Sequence, residues 1–221
     1  MLEIKEVCNT LNVYQLLQTT TINLDKGMVY GIISDKEEVA DSFVAALLGI
    51  DPISSLMIQY DNLNIEEINK NEYRKKIGCS LRGDYLLDNL SAIENIMLVM
   101  NCEEVTQEHK EFVAQYISKL LYQYGIDKER IKLPVSEFND SERKIVEIVR
   151  VLSKNPEIIV VDQLSLVEDT MRKRLVDQLR RYAITNKKCL ILLDHTSDLE
   201  EYTDELWILE RKRTGHIKVS Q

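Results

Sequence analysis

The sequence has no Cys-x-x-Cys pair, no basic stripe and no long apolar run, and each absence removes a class of function. Its four cysteines, Cys8, Cys79, Cys102 and Cys189, lie far apart, which argues against a zinc site or a disulfide framework and suits a reduced compartment. Acidic residues outnumber basic ones by 37 to 28, giving a net charge of -9 and a pI near 5.0, the reverse of what a nucleic-acid binder presents. No apolar run reaches the roughly 18 residues of a membrane-spanning helix, and no N-terminal stretch has the pattern of a secretory signal. The expectation is a cytoplasmic protein with no direct membrane insertion, peripheral at the inner face of the cell membrane only through a partner. What is present, 221 residues of which 44% are hydrophobic, suffices for one large core or a main domain with a subdomain.

The chain is organised around residues 28 to 49. Met28-Val-Tyr-Gly-Ile-Ile33 reads as a buried strand, Ser34 to Ser42 as a turn, and Val39, Phe43, Leu47 and Ile50 as one face of a helix. Nucleotide-binding α/β proteins wrap phosphate at such a place with the pattern G-x-x-x-x-G-K-[ST]. No glycine lies between Gly31 and Gly49, and the four pattern positions hold Ser34, Val39, Ala40 and Asp41. Four acids, Asp35, Glu37, Glu38 and Asp41, stand against Lys36 alone, a formal -3. A contact between like charges costs about 1 kcal/mol in water and about 4 at an effective dielectric of 20, whereas millimolar to micromolar binding is worth only about 4 to 8 kcal/mol. The stretch is therefore expected to hold no triphosphate. Ser34-Asp-Lys-Glu37 also has capping-box spacing, which predicts an early helix start with Glu37 or Glu38 where phosphate charge would meet the helix dipole.

Along the rest of the chain, residues 2 to 33 alternate as short antiparallel strands around an Asp25-Lys-Gly27 turn. Residues 53 to 60 and Tyr73 to Arg82 read as further strands of a mixed β region. From Leu86 to Lys154 the period is helical, with Phe112, Val113, Tyr116, Ile117, Leu120, Leu121 and Tyr124 running to a stop at Gly125. Pro134 breaks the pattern, and Asn139-Asp-Ser-Glu142 opens another helix with the face Ile145, Ile148, Val149 and Leu152. Glu157 to Asp162 and Cys189 to Asp194 are apolar runs suited to strands buried on both faces. Between them Met171, Leu175, Leu179 and Tyr182 form one helix face, and Arg172, Lys173, Arg174, Arg180 and Arg181 form a basic face expected to be solvated. Glu205 to Leu209 reads as the final strand, before a basic tail with Gly215.

In this order the parts resemble the ATP-binding cassette (ABC) ATPase family over nearly the whole chain, and Leu86-Leu-Asp-Asn-Leu-Ser-Ala-Ile-Glu-Asn95 looks most like its lipoprotein-release and macrolide-export branch. The resemblance implies an α/β fold: a P-loop NTPase core with an antiparallel β subdomain (about 1–85 and 155–221 together) and an inserted α-helical subdomain (about 86–154). It places the adenine-stacking aromatic near Leu11 or Tyr14, Arg82 at the glutamine-loop position, and Asn139, Asp140, Ser141 and Glu142 in the signature. Asp162 is kept at the Walker B position, Asp169 in the D-loop and His195 at the switch, while Gln163 replaces the catalytic glutamate, and an amide cannot act as a base. These departures lead to the expectation of a catalytically inactive pseudo-ATPase with no cofactor and no bound metal, serving as scaffold or regulator. The implied partners are an integral-membrane permease or an active ABC ATPase subunit, and no nucleic acid. Two alternatives stand beside it: a slow or weak ATPase subunit of an ABC transporter, using ATP and magnesium, and a soluble protein-binding adaptor unrelated to transport.

Overall fold

A computed structural model describes residues 1–6, 21–34, 36–52, 56–83, 85–100, 106–195, 197–211 and 217–220. Two sheets are present. The larger has the order β10-β9-β3-β8-β7-β6, built from β3 (Val29–Ser34), β6 (Ile77–Ser80), β7 (Ile158–Asp162), β8 (Cys189–Asp194), β9 (Glu205–Arg211) and β10 (Ile217–Ser220). All its neighbours are parallel except the β9–β10 pair. The smaller sheet is antiparallel, β2-β1-β4-β5, from β1 (Leu2–Glu6), β2 (Thr21–Leu24), β4 (Leu56–Tyr60) and β5 (Leu63–Asn64).

Strand alternation divides the core between the two faces of the large sheet. Ile158 and Val160 of β7 and Cys189, Ile191 and Leu193 of β8 pack with Leu2, Ile4 and Ile22 of the small sheet and with Val39, Phe43 and Leu47 of α1 (Glu37–Leu47). Ile159, Val161, Leu190 and Leu192 point the other way, onto α5 (Asp140–Leu152) and α6 (Asp169–Asn186), with α3 (Ala92–Met97) and α4 (Gln107–Gln123) beyond. Strands covered on both faces need unbroken apolar runs, which is why β7 and β8 were recognisable from composition alone. Gly78 in β6 permits a close approach of α5 and the loop after it to the sheet: a Cβ there would lie 2.6 Å from Val151 Cγ1 and 2.8 Å from Pro156 Cγ.

Four sequence expectations need correction. Tyr73 to Arg82 is not one strand: Lys70–Arg74 is helix α2, because Asn69 caps it and Tyr73 anchors it, its hydroxyl donating to the Leu47 carbonyl at 2.8 Å. Its second half, β6, joins the large parallel sheet rather than a mixed β region. Glu205 to Leu209 is not the last strand, since β10 pairs back on it. The basic face of α6 is solvated at Lys173, Arg174 and Arg181 as expected, but not throughout: Arg172 donates to the Leu164 and Val167 carbonyls, and Arg180 donates to the Tyr202 carbonyl and pairs with Asp204. Cys8, Leu11, Tyr14, Asp35, residues 53–55, Cys102 and Gly215 lie outside the described residues. Among those described, no helix is long and apolar enough to cross a membrane.

Glu157 ties the two sheets together. Its carboxylate accepts from Lys76 Nζ at 2.8 Å, Lys26 Nζ at 2.9 Å and the Tyr60 hydroxyl at 2.9 Å, and these donors hold it well below the usual carboxylate range, at about 2. A depressed folded value means that the stabilisation is complete above the ordinary value of 4.5 and is lost as pH falls toward 2. Denaturant melts across pH 2 to 5 are expected to show a stability slope in the wild type that Glu157→Gln flattens; equal slopes would remove Glu157 as the source.

Candidate functional site

The site is assembled where four parallel strands end. Strand β3 stops at Ser34, which is fully buried; its hydroxyl donates to the Lys36 carbonyl at 2.8 Å. Helix α1 then begins at Glu37, with Lys36 as an extended N-cap residue that makes no side-chain cap. The early helix start holds, but the capping box predicted for Ser34 and Glu37 does not form, because the Ser34 hydroxyl donates to the Lys36 carbonyl and accepts from the Lys36 N–H at 3.4 Å, ahead of the helix amides. Val39 and Ala40, at the positions of glycine and lysine in a phosphate loop, face the core as part of this helix. Asp41 and Ser42 face solvent, and the Ser42 hydroxyl donates back to the Glu38 carbonyl at 2.6 Å.

Arg82, just past β6, reaches across to this corner. Its guanidinium forms an ion pair with the Glu37 carboxylate, and Nη2 lies 3.0 Å from His195 Nε2. His195 follows β8, with Nδ1 2.8 Å from the Ser34 carbonyl oxygen. A guanidinium only donates, so His195 Nε2 accepts from Arg82, and the ring proton sits on Nδ1 and is given to Ser34. The neutral tautomer is thus set from both sides. Asp162, at the end of β7, is buried, and its Oδ1 has no hydrogen-bond partner. Burial pushes its carboxyl upward, against the pull of Arg82 and Lys144. The adjacent Asp194 accepts from the His195 backbone at 2.7 Å and from the Ser165 backbone at 2.9 Å, fixing both loops.

The second group of predicted residues opens α5. Asn139 and Glu142 form a reciprocal capping box, and Glu142 also pairs with Arg130, so these two serve the helix start. Ser141 is buried and donates to the Leu166 carbonyl while accepting from the Glu168 backbone at 3.1 Å. Asp140 lines a cavity of about 240 Å³ together with Gln163, Lys144 and Glu147. Gln163 directly follows β7 in a left-handed conformation, φ 57°. Asp169 is well exposed at the start of α6 and pairs with Arg172 at 3.0 Å.

Sequence reasoning passed over Lys144 and Glu147. Both are buried, 3.3 Å apart, and Lys144 also donates to the Leu81 carbonyl at 3.1 Å, next to Arg82. Burial lowers the Lys144 ammonium pKa while Glu147 raises it. The signal was available: a lysine and a glutamate three apart on a helix turn otherwise filled by Ile145, Ile148 and Val149.

The relatives settle what kind of fold this is. No family model matches the sequence. A phosphonates import ATP-binding protein of Fusobacterium nucleatum is 23% identical over 230 residues, covering 100% of this chain and 93% of the relative. A lipoprotein-releasing system ATP-binding protein of Leptospira interrogans is 20% identical, covering 91% and 85%. A bacterial ABC transporter cassette solved as a dimer superposes with a TM-score of 0.78 at 17% identity, over 100% of this chain and 98% of that one. The chain carries the ATP-binding cassette fold. The lipoprotein-release branch is represented among the cassette's relatives, beside importers.

With that, the expectation of an inactive, non-enzymatic chain is corrected: full-length relatives are named ATP-binding proteins, and nothing among them points to inactivity. The physical reason is that the charge count over residues 34 to 42 left out Arg82, which only the fold brings beside Glu37. Among the described residues no group of three His, Cys, Asp or Glu side chains could hold a metal ion alone. The unpartnered oxygen of Asp162 is the carboxylate oxygen that a magnesium ion would take as a ligand.

Proposed function

We propose that this chain is an ATP-binding subunit of an ABC-type membrane transporter that hydrolyses ATP slowly. One observation carries the reading: Ser34, Arg82, Asp162 and His195 stand at or just past the carboxyl ends of the parallel strands β3, β6, β7 and β8. Open parallel sheets bind ligands at that edge. Slowness follows from Gln163, whose amide cannot take a proton from water. Asp162 would offer its free oxygen toward the phosphate-bound ion, and His195, donating from Nδ1 to Ser34 and accepting at Nε2 from Arg82, would hold that guanidinium in place.

The proposed partner is an integral-membrane permease, which would hold the subunit at the cytoplasmic face; the core and β subdomain (about 1–85 and 155–221) and the helical subdomain (about 86–154) would meet it together. The test is titration of the purified chain with ATP and magnesium, followed by phosphate release. Saturable stabilisation is expected, with slow turnover that Asp162→Asn removes. Absence of both binding and turnover at several millimolar ATP would overturn the reading.

A further inference from the structure

This inference rests on the nucleotide reading and names the group that would hold the phosphates. The stretch where a phosphate loop supplies its lysine has Ala40 buried in the core and Asp41 in solvent, so that stretch offers no inward cation there. A cation nevertheless stands at this corner. Arg82 enters from the neighbouring strand end, with its side chain only 22% exposed, its guanidinium on Glu37 and His195, and its Nε buried without a partner. Glu37, on the other side of the pair, is 65% exposed and attached only through the first turn of α1. One member is anchored with donor capacity to spare; the other is free to swing into water.

We infer that Arg82 is the phosphate-binding cation of this cassette, and that Glu37 occupies the place of a phosphate in the resting chain. A carboxylate at the first turn of a helix, paired with a guanidinium, has the chemistry of a bound phosphate: negative charge, several acceptor oxygens, and a fork of donors to match. The terminal phosphate of a nucleoside triphosphate brings more charge and a third oxygen, displaces the Glu37 carboxylate, and takes its place on the guanidinium. No covalent step is involved. The site is thus self-occupied, and affinity is set by competition between an internal carboxylate and the external phosphate.

A purely structural ion pair joining α1 to the end of β6 gives a different pattern, and two variants separate the cases. Calorimetric titration with ATP and with inorganic tripolyphosphate is made on the wild type, Glu37→Gln, Arg82→Gln and Arg82→Lys, with thermal melts alongside. Removing the competitor is expected to tighten both ligands by about tenfold, and removing the cation to weaken both by about tenfold or more, as befits a charge-assisted hydrogen bond; Arg82→Lys should recover part of the loss. Both glutamine variants break the same pair, so a structural staple would lower melting temperature and affinity together in both. Affinity shifts of the same sign in the two variants, or wild-type affinity in Arg82→Gln, would overturn the inference while leaving the nucleotide reading intact. If neither the wild type nor Glu37→Gln binds either ligand at several millimolar, both fall.

Discussion

Replacing Gln163 with glutamate is expected to raise ATP turnover by about 10²-fold or more, the usual contribution of a positioned general base. Gln163 is well placed for the change. Its backbone N–H donates to the Leu193 carbonyl at 3.1 Å and its carbonyl accepts from Leu166 at 3.2 Å, so the left-handed backbone conformation is held by neighbours rather than by the side chain. Glutamate is nearly isosteric and inherits the same conformation, and the variant should fold as the wild type does. Its carboxylate would enter the cavity shared with Asp140, Lys144 and Glu147, next to Asp162. Steady-state phosphate release at saturating ATP measures the effect, with calorimetry reporting binding separately. Unchanged turnover at unchanged affinity would mean that the amide does not limit the reaction, and would take Gln163 out of it.

The second large effect concerns stability. Lys144→Ala is expected to cost about 3 to 5 kcal/mol, because it strands the buried Glu147 carboxylate. With both charges gone, Lys144→Met with Glu147→Leu, the loss should shrink: neither charge's desolvation penalty is then carried, although the Ser80 hydroxyl, the Tyr85 N–H and the Leu81 carbonyl lose their partners. Glu147 keeps other bonds, to the Ser80 hydroxyl at 3.2 Å and the Tyr85 backbone at 3.4 Å, so the single variant leaves it partly but not fully compensated. Urea unfolding of the two variants decides the matter. A single-variant cost below about 1 kcal/mol would place the pair among solvent-screened ones. The double variant also has a functional consequence. Lys144 holds the carbonyl of Leu81, the residue before Arg82, so its loss should loosen the guanidinium and weaken ATP binding even where stability is partly restored.

Some elements were legible because their cause is local. The runs at β7 and β8 are apolar without interruption, and only a strand covered on both faces requires that. The start of α5 was legible because Asn139 and Glu142 satisfy each other's amide donors within one turn. The same spacing at Ser34 and Glu37 misled, since Ser34 is the buried end of a central strand and its hydroxyl is taken by the Lys36 carbonyl. Tyr73 to Arg82 misled for a related reason: its apolar pattern hid a helix turn that a contact from Tyr73 to Leu47 stabilises.

The ordering of strands and helices, the burial of the central sheet and the cassette-like layout were determined by the sequence itself, through hydrophobic period and turn chemistry. The charge of the site was not. Residues 34 to 42 sum to a formal -3 however they are folded, but a ligand meets the field of every group within a few ångströms, and Arg82 and His195 come from distant parts of the chain. Local periodicity follows from neighbours along the backbone; electrostatics at a strand-end cleft follows from neighbours in space, and only the tertiary structure decides who those are.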